Sequence, residues 1–465
     1  MGEPKTTDQI NLDFNYEDNP FLKLEDKVNF RHNKSLPIHQ WVNWVPGFSA
    51  HLIEVCLDEF LDKDQGKVCD PFMGVGTTLL EAEKRGHETL GFEINPWASL
   101  VSKTKLDSQN VDVDQFREKV QEFENWMTKK ERTIDQEFEE YEGENFKEEC
   151  SIIPDNSPPS GFRSRIDFFP APAEIKVLSV FDFIDEIESE RIRNLFRVAL
   201  GSKIVSFSNY TYEPSLGTRT GAGKDLIENA DVVGPLSSKL NQMVSDIKKV
   251  WGNNREGKDW EIIEGDLFEN EEKLDGEIDL IVTSPPYLNN YHYVRNTRPH
   301  LYWLGFGNDP SDFKYLSNDN FGKYWQKVRE QEAIEINFDL EVLEETIELI
   351  RSVKKEGSTY GGNGWANYVA TYFNDTYEFL KAFKKGMKPG ATGIMIVGNS
   401  FIQGVNVDVP KLIEKLAEKI GLISKDVYLI QQKRVGTSIV NSGDRKEPRK
   451  EKTPLYEAAV VFEKE

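Results

Sequence analysis

The segment Asp279 to Tyr287, DLIVTSPPY, runs from an apolar strand pattern straight into Ser284, Pro285, Pro286 and Tyr287. Neither proline carries an N–H, so this is neither a continuing strand nor an ordinary turn. A rigid corner at the C-terminal end of a strand is where an open α/β sheet places its site. Far upstream, Val68 to Asn95 reads VCDPFMGVGTTLLEAEKRGHETLGFEIN: strand, glycine loop, helix, and a second strand closed by Glu93. Gly74 and Gly76 let the backbone turn tightly and approach a ligand closely, while Thr77 and Thr78 can cap the helix that follows. Glu93 stands about where a ribose-binding βαβ unit carries its acid, a carboxylate able to accept from both ribose hydroxyls. The chemistry these residues suggest is the binding of a nucleoside-bearing cofactor. No third glycine follows at the dinucleotide spacing, and no Gly-Lys-Ser/Thr follows as a phosphate loop requires, so nicotinamide and nucleoside triphosphate ligands lose ground. Without a ligand, the loop is a tight βα turn and the corner a rigid strand end.

Other elements must bring these groups together. Trp260 to Phe268, WEIIEGDLF, is a short apolar strand ending at Gly265 and Asp266, just ahead of the strand Ile278 to Val282. Asp266 is either a ligand contact or the cap of a turn or helix. WVNWVPGFSAHLIEVCLDEFL predicts a helix with Ser49 as N-cap and Leu52, Ile53, Cys56, Leu57 and Phe60 along one side. Lys388 to Gly390 lead into a strand at Gly393 to Val397, and KDVYLIQQ and LYEAAVVF predict two last strands, antiparallel to each other.

The glycine loop, the strand-end acid and the TSPPY corner together resemble the amino-directed DNA methyltransferases, which move a methyl group from S-adenosylmethionine to an exocyclic amine of cytosine or adenine. The resemblance covers most of the chain, excluding an N-terminal arm and the acidic part of an insertion. It implies a class I (Rossmann-like) α/β fold, a mostly parallel sheet with an antiparallel terminal strand and a large, mainly helical insertion. It implies S-adenosylmethionine contacts from Asp70, Phe72, Gly74, Gly76, Thr77 and Glu93, with Asp266 on the adenine amine and Phe48 and Ser49 near the methionine end. The delocalised lone pair of a base amine makes it a poor nucleophile, so two acceptors, the Ser284 hydroxyl and the Pro285 carbonyl, would hold its hydrogens and align the nitrogen. Pro285 and Pro286 fix their direction, and Tyr287 would stack on a base flipped out of double-stranded DNA. No metal and no covalent intermediate are needed. Ser284, in place of the Asp or Asn of many adenine enzymes, implies cytosine N4 as the favoured acceptor and adenine N6 as the alternative. An RNA methyltransferase and an inactive nucleic-acid-binding homologue are the further alternatives. No nuclease motif is apparent, so a restriction endonuclease partner would be a separate chain.

The chain has 465 residues and a net charge of −23, from 57 basic and 80 acidic side chains. That balance repels nucleic acid as a whole, so a binding cleft has to be locally basic. Candidate nucleic-acid contacts are Arg219 and Lys224 in GTRTGAGK, and Arg295 and Arg298 after the corner; QQKRVG and GDRKEPRKEK supply more basic residues. Part of the acidic excess lies in Glu131 to Glu149, which reads as a solvated helix or arm. The only cysteines are Cys56, Cys69 and Cys150, with no C-x-x-C pair, no Cys/His cluster at metal spacing, and none after a proline in a candidate catalytic loop. This argues against structural zinc and against thiolate-dependent methylation at cytosine C5. With no long apolar run and no signal peptide in MGEPKTTDQINLDF, a cytoplasmic protein without a membrane segment is expected. The expected organisation is a polar arm at 1–40, a catalytic core at 41–106 and 250–465, and a helical insertion at 107–249 that is a possible DNA-contacting element. Within the insertion, RSRIDFFPAPAEIKVLSVFDFIDEIESERIRNLFRVALGSKIVSFSNY predicts two amphipathic helices.

Overall fold

The computed structural model describes residues 14, 18–24, 27–44, 47–62, 64–143, 145–213, 215–252, 259–288, 293–318, 321–323, 325–353, 362–433 and 455–465. The basic stretches at 434–452 lie outside them.

Seven strands form one sheet: β1 (Lys67–Asp70), β2 (Glu88–Glu93), β3 (Trp260–Glu264), β4 (Ile278–Thr283), β5 (Met387–Gly398), β6 (Ile423–Lys433) and β7 (Leu455–Glu463). Their order across the sheet is β6-β7-β5-β4-β1-β2-β3. The five strands from β5 to β3 are parallel, while β7 is antiparallel to both β5 and β6. This is the mostly parallel α/β sheet with antiparallel terminal pairing that the sequence predicted. Val68 lies opposite Leu280 and Cys69 opposite Ile281, so the strand leading to the glycine loop and the strand leading to the corner run side by side. Chain order reverses here: β1, β2 and β3 build outward one way, and β4 returns to the other flank of β1. Loops leaving the strand ends at such a switch point diverge and open a crevice. All six residues of β4 are buried, which explains its apolar Leu280-Ile281-Val282 run.

The helices fix what surrounds that crevice. Helix α1 (Ala50–Phe60) starts at Ser49, whose hydroxyl accepts from the Leu52 N–H. Helix α2 (Thr77–Lys84) follows the glycine loop, and α3 (Pro96–Asp107) follows β2 with Asn95 as its cap. Between α3 and β3 stand α4 (Val113–Glu139), α5 (Ala171–Asp185), α6 (Glu190–Lys203), a hairpin of Tyr210–Tyr212 with Leu216–Thr218, and α7 (Val233–Trp251). Helices α5 and α6 are the two helices read from the sequence. The inserted helices share one hydrophobic cluster with Trp97 and Val101 of α3 and with Met73 and Val75 of the glycine loop, so they pack against the loop's supports. Glu131 departs from the expected solvated face: its carboxylate accepts from the Val232 N–H at 2.8 Å and faces the buried Lys176 at 3.4 Å. Beyond the corner come α8 (Tyr293–Trp303), α9 (Asn363–Gly386) and α10 (Val409–Lys419). Helices α9 and α10 cover one face of the sheet and α1 the other. Among the described residues no helix is long and apolar enough to cross a membrane.

Candidate active site

The two motifs are tied together by one buried carboxylate. Asp70, the last residue of β1, accepts from the Thr283 hydroxyl at 2.7 Å, from the Thr78 hydroxyl at 2.7 Å and from the Phe72 N–H at 3.1 Å. Thr283 immediately precedes Ser284, so Asp70 joins the end of β1 to the start of the corner. Burial pushes its carboxyl up to about 6, against the pull of the three hydrogen bonds. Thr78 therefore does not cap α2 through its hydroxyl as the sequence suggested. The N-cap is Gly76, in the left-handed region at φ 74°, with no side-chain cap.

Glu93 holds the glycine loop from the other side. One of its oxygens accepts from the Gly74 N–H at 3.0 Å and the other from the Asn95 N–H at 2.8 Å. Burial is the largest influence and raises the carboxyl to about 7. Each carboxylate oxygen has two acceptor sites, so the two backbone bonds leave capacity for two hydroxyl donors. Phe72, Gly74, Glu93, Asp266, Ser284 and Pro286 all line one open-mouthed cavity of about 910 Å³, mouth included. Asp266 accepts from the Phe268 N–H at 2.6 Å, so it shapes its own turn as well as lining the cavity.

The remaining candidates sit elsewhere. Asp70, Gly76 and Thr77 stand behind the cavity wall, and Pro285 is buried. The ring of Tyr287 lies beside Gly398 at the end of β5. Ser49 is buried and donates to the Lys27 carbonyl at 2.5 Å, and the Phe48 carbonyl accepts from Asn33 at 3.1 Å; neither residue lines the cavity. Sequence reasoning passed over Trp44, Asn95 and Phe321, which do line it. Phe321 packs edge-on against Phe72, with centroids 5.2 Å apart. Asn95 carried a legible signal, an Asn-Pro step after the strand-end acid. Its side chain caps α3 and donates to the Thr297 hydroxyl of α8 at 2.9 Å.

The four basic candidates gather around α8 and the inserted hairpin. Arg295 donates to the Leu216 carbonyl at 3.2 Å, and the Leu216 N–H donates to Asn296 at 2.8 Å. Arg298 reaches the Arg163 carbonyl at 2.8 Å and lies over the rings of Phe162 and Tyr302. Arg219 donates to the Asp225 carbonyl at 2.7 Å, whereas Lys224 is paired with Glu213. Arg163 and Arg165, which the sequence reading did not single out, are exposed on the adjoining loop. That loop is fixed by the Tyr210 hydroxyl, which accepts from the Arg165 N–H at 2.9 Å. None of these five arginines makes an ion pair with a described residue. The post-corner residues Asn289 to Tyr291 lie outside the described residues.

All three cysteines are buried and unpaired, and burial raises each thiol above its ordinary value. Buried thiols of this kind are poor nucleophiles. Among the described residues, no cluster of His, Cys, Asp and Glu could hold a metal ion.

The mostly parallel sheet, with a glycine loop, a strand-end carboxylate and a Ser-Pro-Pro corner at its switch point, has the Rossmann-like fold of the class I methyltransferases. The profile of a family described as DNA methylase, covering N6 and N4 enzymes, matches residues 15–104, the stretch that holds α1, the glycine loop and Glu93. The Type II methyltransferase M.BsoBI of Geobacillus stearothermophilus is 25% identical over 448 residues, covering 88% of this chain and 84% of that protein. The Type II methyltransferase M.AvaI of Nostoc sp. is 22% identical over 428 residues, covering 87% and 83%. The Type II methyltransferase M.MvaI of Kocuria varians is 24% identical over 392 residues, covering 80% of each chain. No solved structure matches. Over most of its length the chain is thus similar to amino-directed DNA methyltransferases, enzymes that require a methyl donor.

Proposed function

We propose that this protein is a site-specific DNA methyltransferase that takes its methyl group from S-adenosylmethionine and delivers it to an exocyclic base amine, cytosine N4 in preference to adenine N6. The observation that carries the reading is that Glu93, Asp266 and Ser284 line one cavity, with Asp70 bonded across from the glycine loop to the threonine before the corner. The residues suit such a donor. Glu93 retains acceptor capacity for two ribose hydroxyls, Phe72 and Phe268 offer apolar surface for a purine, and Asp266 lines the same cavity. When bound, S-adenosylmethionine supplies an electrophilic methyl group on a sulfonium sulfur.

The protein's own work is alignment. The Ser284 hydroxyl accepts one amine hydrogen and the Pro285 carbonyl the other, turning the nitrogen toward the donor side of the cavity. Tyr287 stacks on the extruded base, which could not present its amine for in-line attack from within a duplex. A serine hydroxyl is too weak a base to remove a proton from the amine beforehand, so the proton leaves after the nitrogen has formed its new bond. The inserted hairpin, the Arg163 loop and α8 form the surface for the DNA phosphates, a basic face on an acidic protein. The Type II names of the relatives support recognition of a defined site and a restriction endonuclease on a separate chain.

The test is digestion of DNA from expressing cells to nucleosides, followed by mass spectrometry. N4-methylated deoxycytidine is the expected product. N6-methylated deoxyadenosine would transfer the assignment to the alternative acceptor, and a methyl group at C5 of cytosine would overturn the mechanism. Methylation of RNA with DNA left unmodified would favour an RNA enzyme.

A further inference from the structure

Lys105 lies on α3 behind the glycine loop, with none of its surface exposed. Its ammonium group donates to the Val75 carbonyl at 2.9 Å, and no carboxylate among the described residues pairs with it. Lys176, the other fully buried lysine, has ordinary company: Asp135 at 2.6 Å, Glu131 at 3.4 Å, and bonds to Asn229 and the Ala230 carbonyl. An unpaired buried ammonium is costly, and an apolar side chain of the same length would fill this space without that cost. Its one described partner is the loop.

One turn earlier on the same face of α3, the Ser102 hydroxyl donates to the Gly74 carbonyl at 2.9 Å. Two successive loop carbonyls, those of Gly74 and Val75, are thus held from behind by α3, while Glu93 takes the Gly74 N–H from the cavity side. The loop needs such holding. Gly74 and Gly76 both adopt positive φ, at 52° and 74°, and neither has a side chain with which to lock its own peptide.

We propose that Lys105, together with Ser102, is a positioning residue that fixes the glycine loop in its donor-receiving conformation. This rests on the reading of Gly74 as part of the donor wall. Burial lowers the Lys105 ammonium to about 7, and the neutral amine still has N–H groups to give to Val75, so the hydrogen bond persists in either form.

The test is titration calorimetry of the full chain with S-adenosylmethionine, beside DNA-binding anisotropy and thermal unfolding. Lys105→Met keeps the length and loses the donor. It should weaken donor binding about five- to tenfold, leave DNA affinity unchanged, and unfold at the same temperature or higher because the desolvated charge is gone. A purely structural lysine would give the reverse, a lower unfolding temperature with donor affinity intact, and that result overturns the inference. Should Lys105→Met fail to fold, Ser102→Ala decides the matter: weaker donor binding supports the inference, and unchanged binding overturns it. Wild-type protein that binds no donor would overturn the proposed function and this inference with it. Normal wild-type binding with unchanged variants overturns the inference alone.

Discussion

The ring of Tyr287 rests beside Gly398, where a Cβ would stand 3.4 Å from Tyr287 Cε2 and 3.1 Å from the Tyr456 carbonyl oxygen. The end of β5 thus seats the aromatic member of the corner, and a Cβ there would already be tight against the Tyr456 carbonyl and in contact with the ring. Gly398→Val should displace the ring and cost about 1–3 kcal/mol of stability through overpacking. Turnover should fall while donor affinity stays at its wild-type value. Thermal unfolding together with steady-state kinetics checks both halves.

Tyr287→Ala removes the ring without crowding the seat. If the ring stacks on the extruded base, turnover should drop, DNA binding should weaken by about 1–3 kcal/mol as the stacking disappears, and donor binding should be spared. A matched fall in donor affinity would place Tyr287 on the wrong side of the cavity.

Glu93→Ala should weaken donor binding by about 1–3 kcal/mol, since two ribose hydrogen bonds go with the carboxylate. The wild-type dependence on pH follows from its raised carboxyl. Below about 7 the group is protonated, and an acceptor must be freed by releasing that proton; above about 7 it is already ionised. Donor affinity should therefore rise from pH 6 to pH 8, with protons released on binding near neutrality. Glu93→Gln should flatten the part of the profile that Glu93 contributes. Calorimetry in buffers of different ionisation enthalpy reads both quantities.

Arg219 and Lys224 begin from different positions. Lys224 is already paired with Glu213, while among the described residues the Arg219 side chain bonds to backbone alone. Replacing both with Gln should flatten the salt dependence of DNA binding by about one log-log unit for each phosphate no longer neutralised, without altering donor affinity. Arg219→Gln alone should account for the larger share, because Lys224 must first give up its carboxylate. An identical slope in the double variant would remove the hairpin from the DNA surface.

The sheet and its two loops were legible because their signals are local. The Leu280-Ile281-Val282 run of β4, the Gly-x-Gly turn and the Ser49 cap each state their structure within a few residues. The junction between motifs was not legible: Asp70, Thr78 and Thr283 meet across more than two hundred residues, and short polar side chains carry no mark of their partners. The same holds for Asn95 with Thr297 and for Arg298 with the Arg163 loop, pairings set by tertiary packing. Glu131 misled because a charged residue on an amphipathic helix reads as solvated, and only the arrival of α7 makes it a partly buried partner. Phe48 and Ser49 were assigned by resemblance. Their own surroundings are a helix cap and an apolar cluster.

The position of the insertion bears on how the chain assembles. Thr89 of β2 pairs with Trp260 of β3, so the outer edge of the sheet closes only after the whole inserted segment has been spanned. Loop-closure entropy grows slowly with length, but pairings so distant along the chain slow the search for the native register. Trp260 and Ile262 of β3 also pack against the hydrophobic cluster that the inserted helices share with α3. Packed with α3 in that cluster, those helices hold β3 beside the strand it joins. The segment that carries Arg219 and Lys224 thereby also backs the outer edge of the sheet.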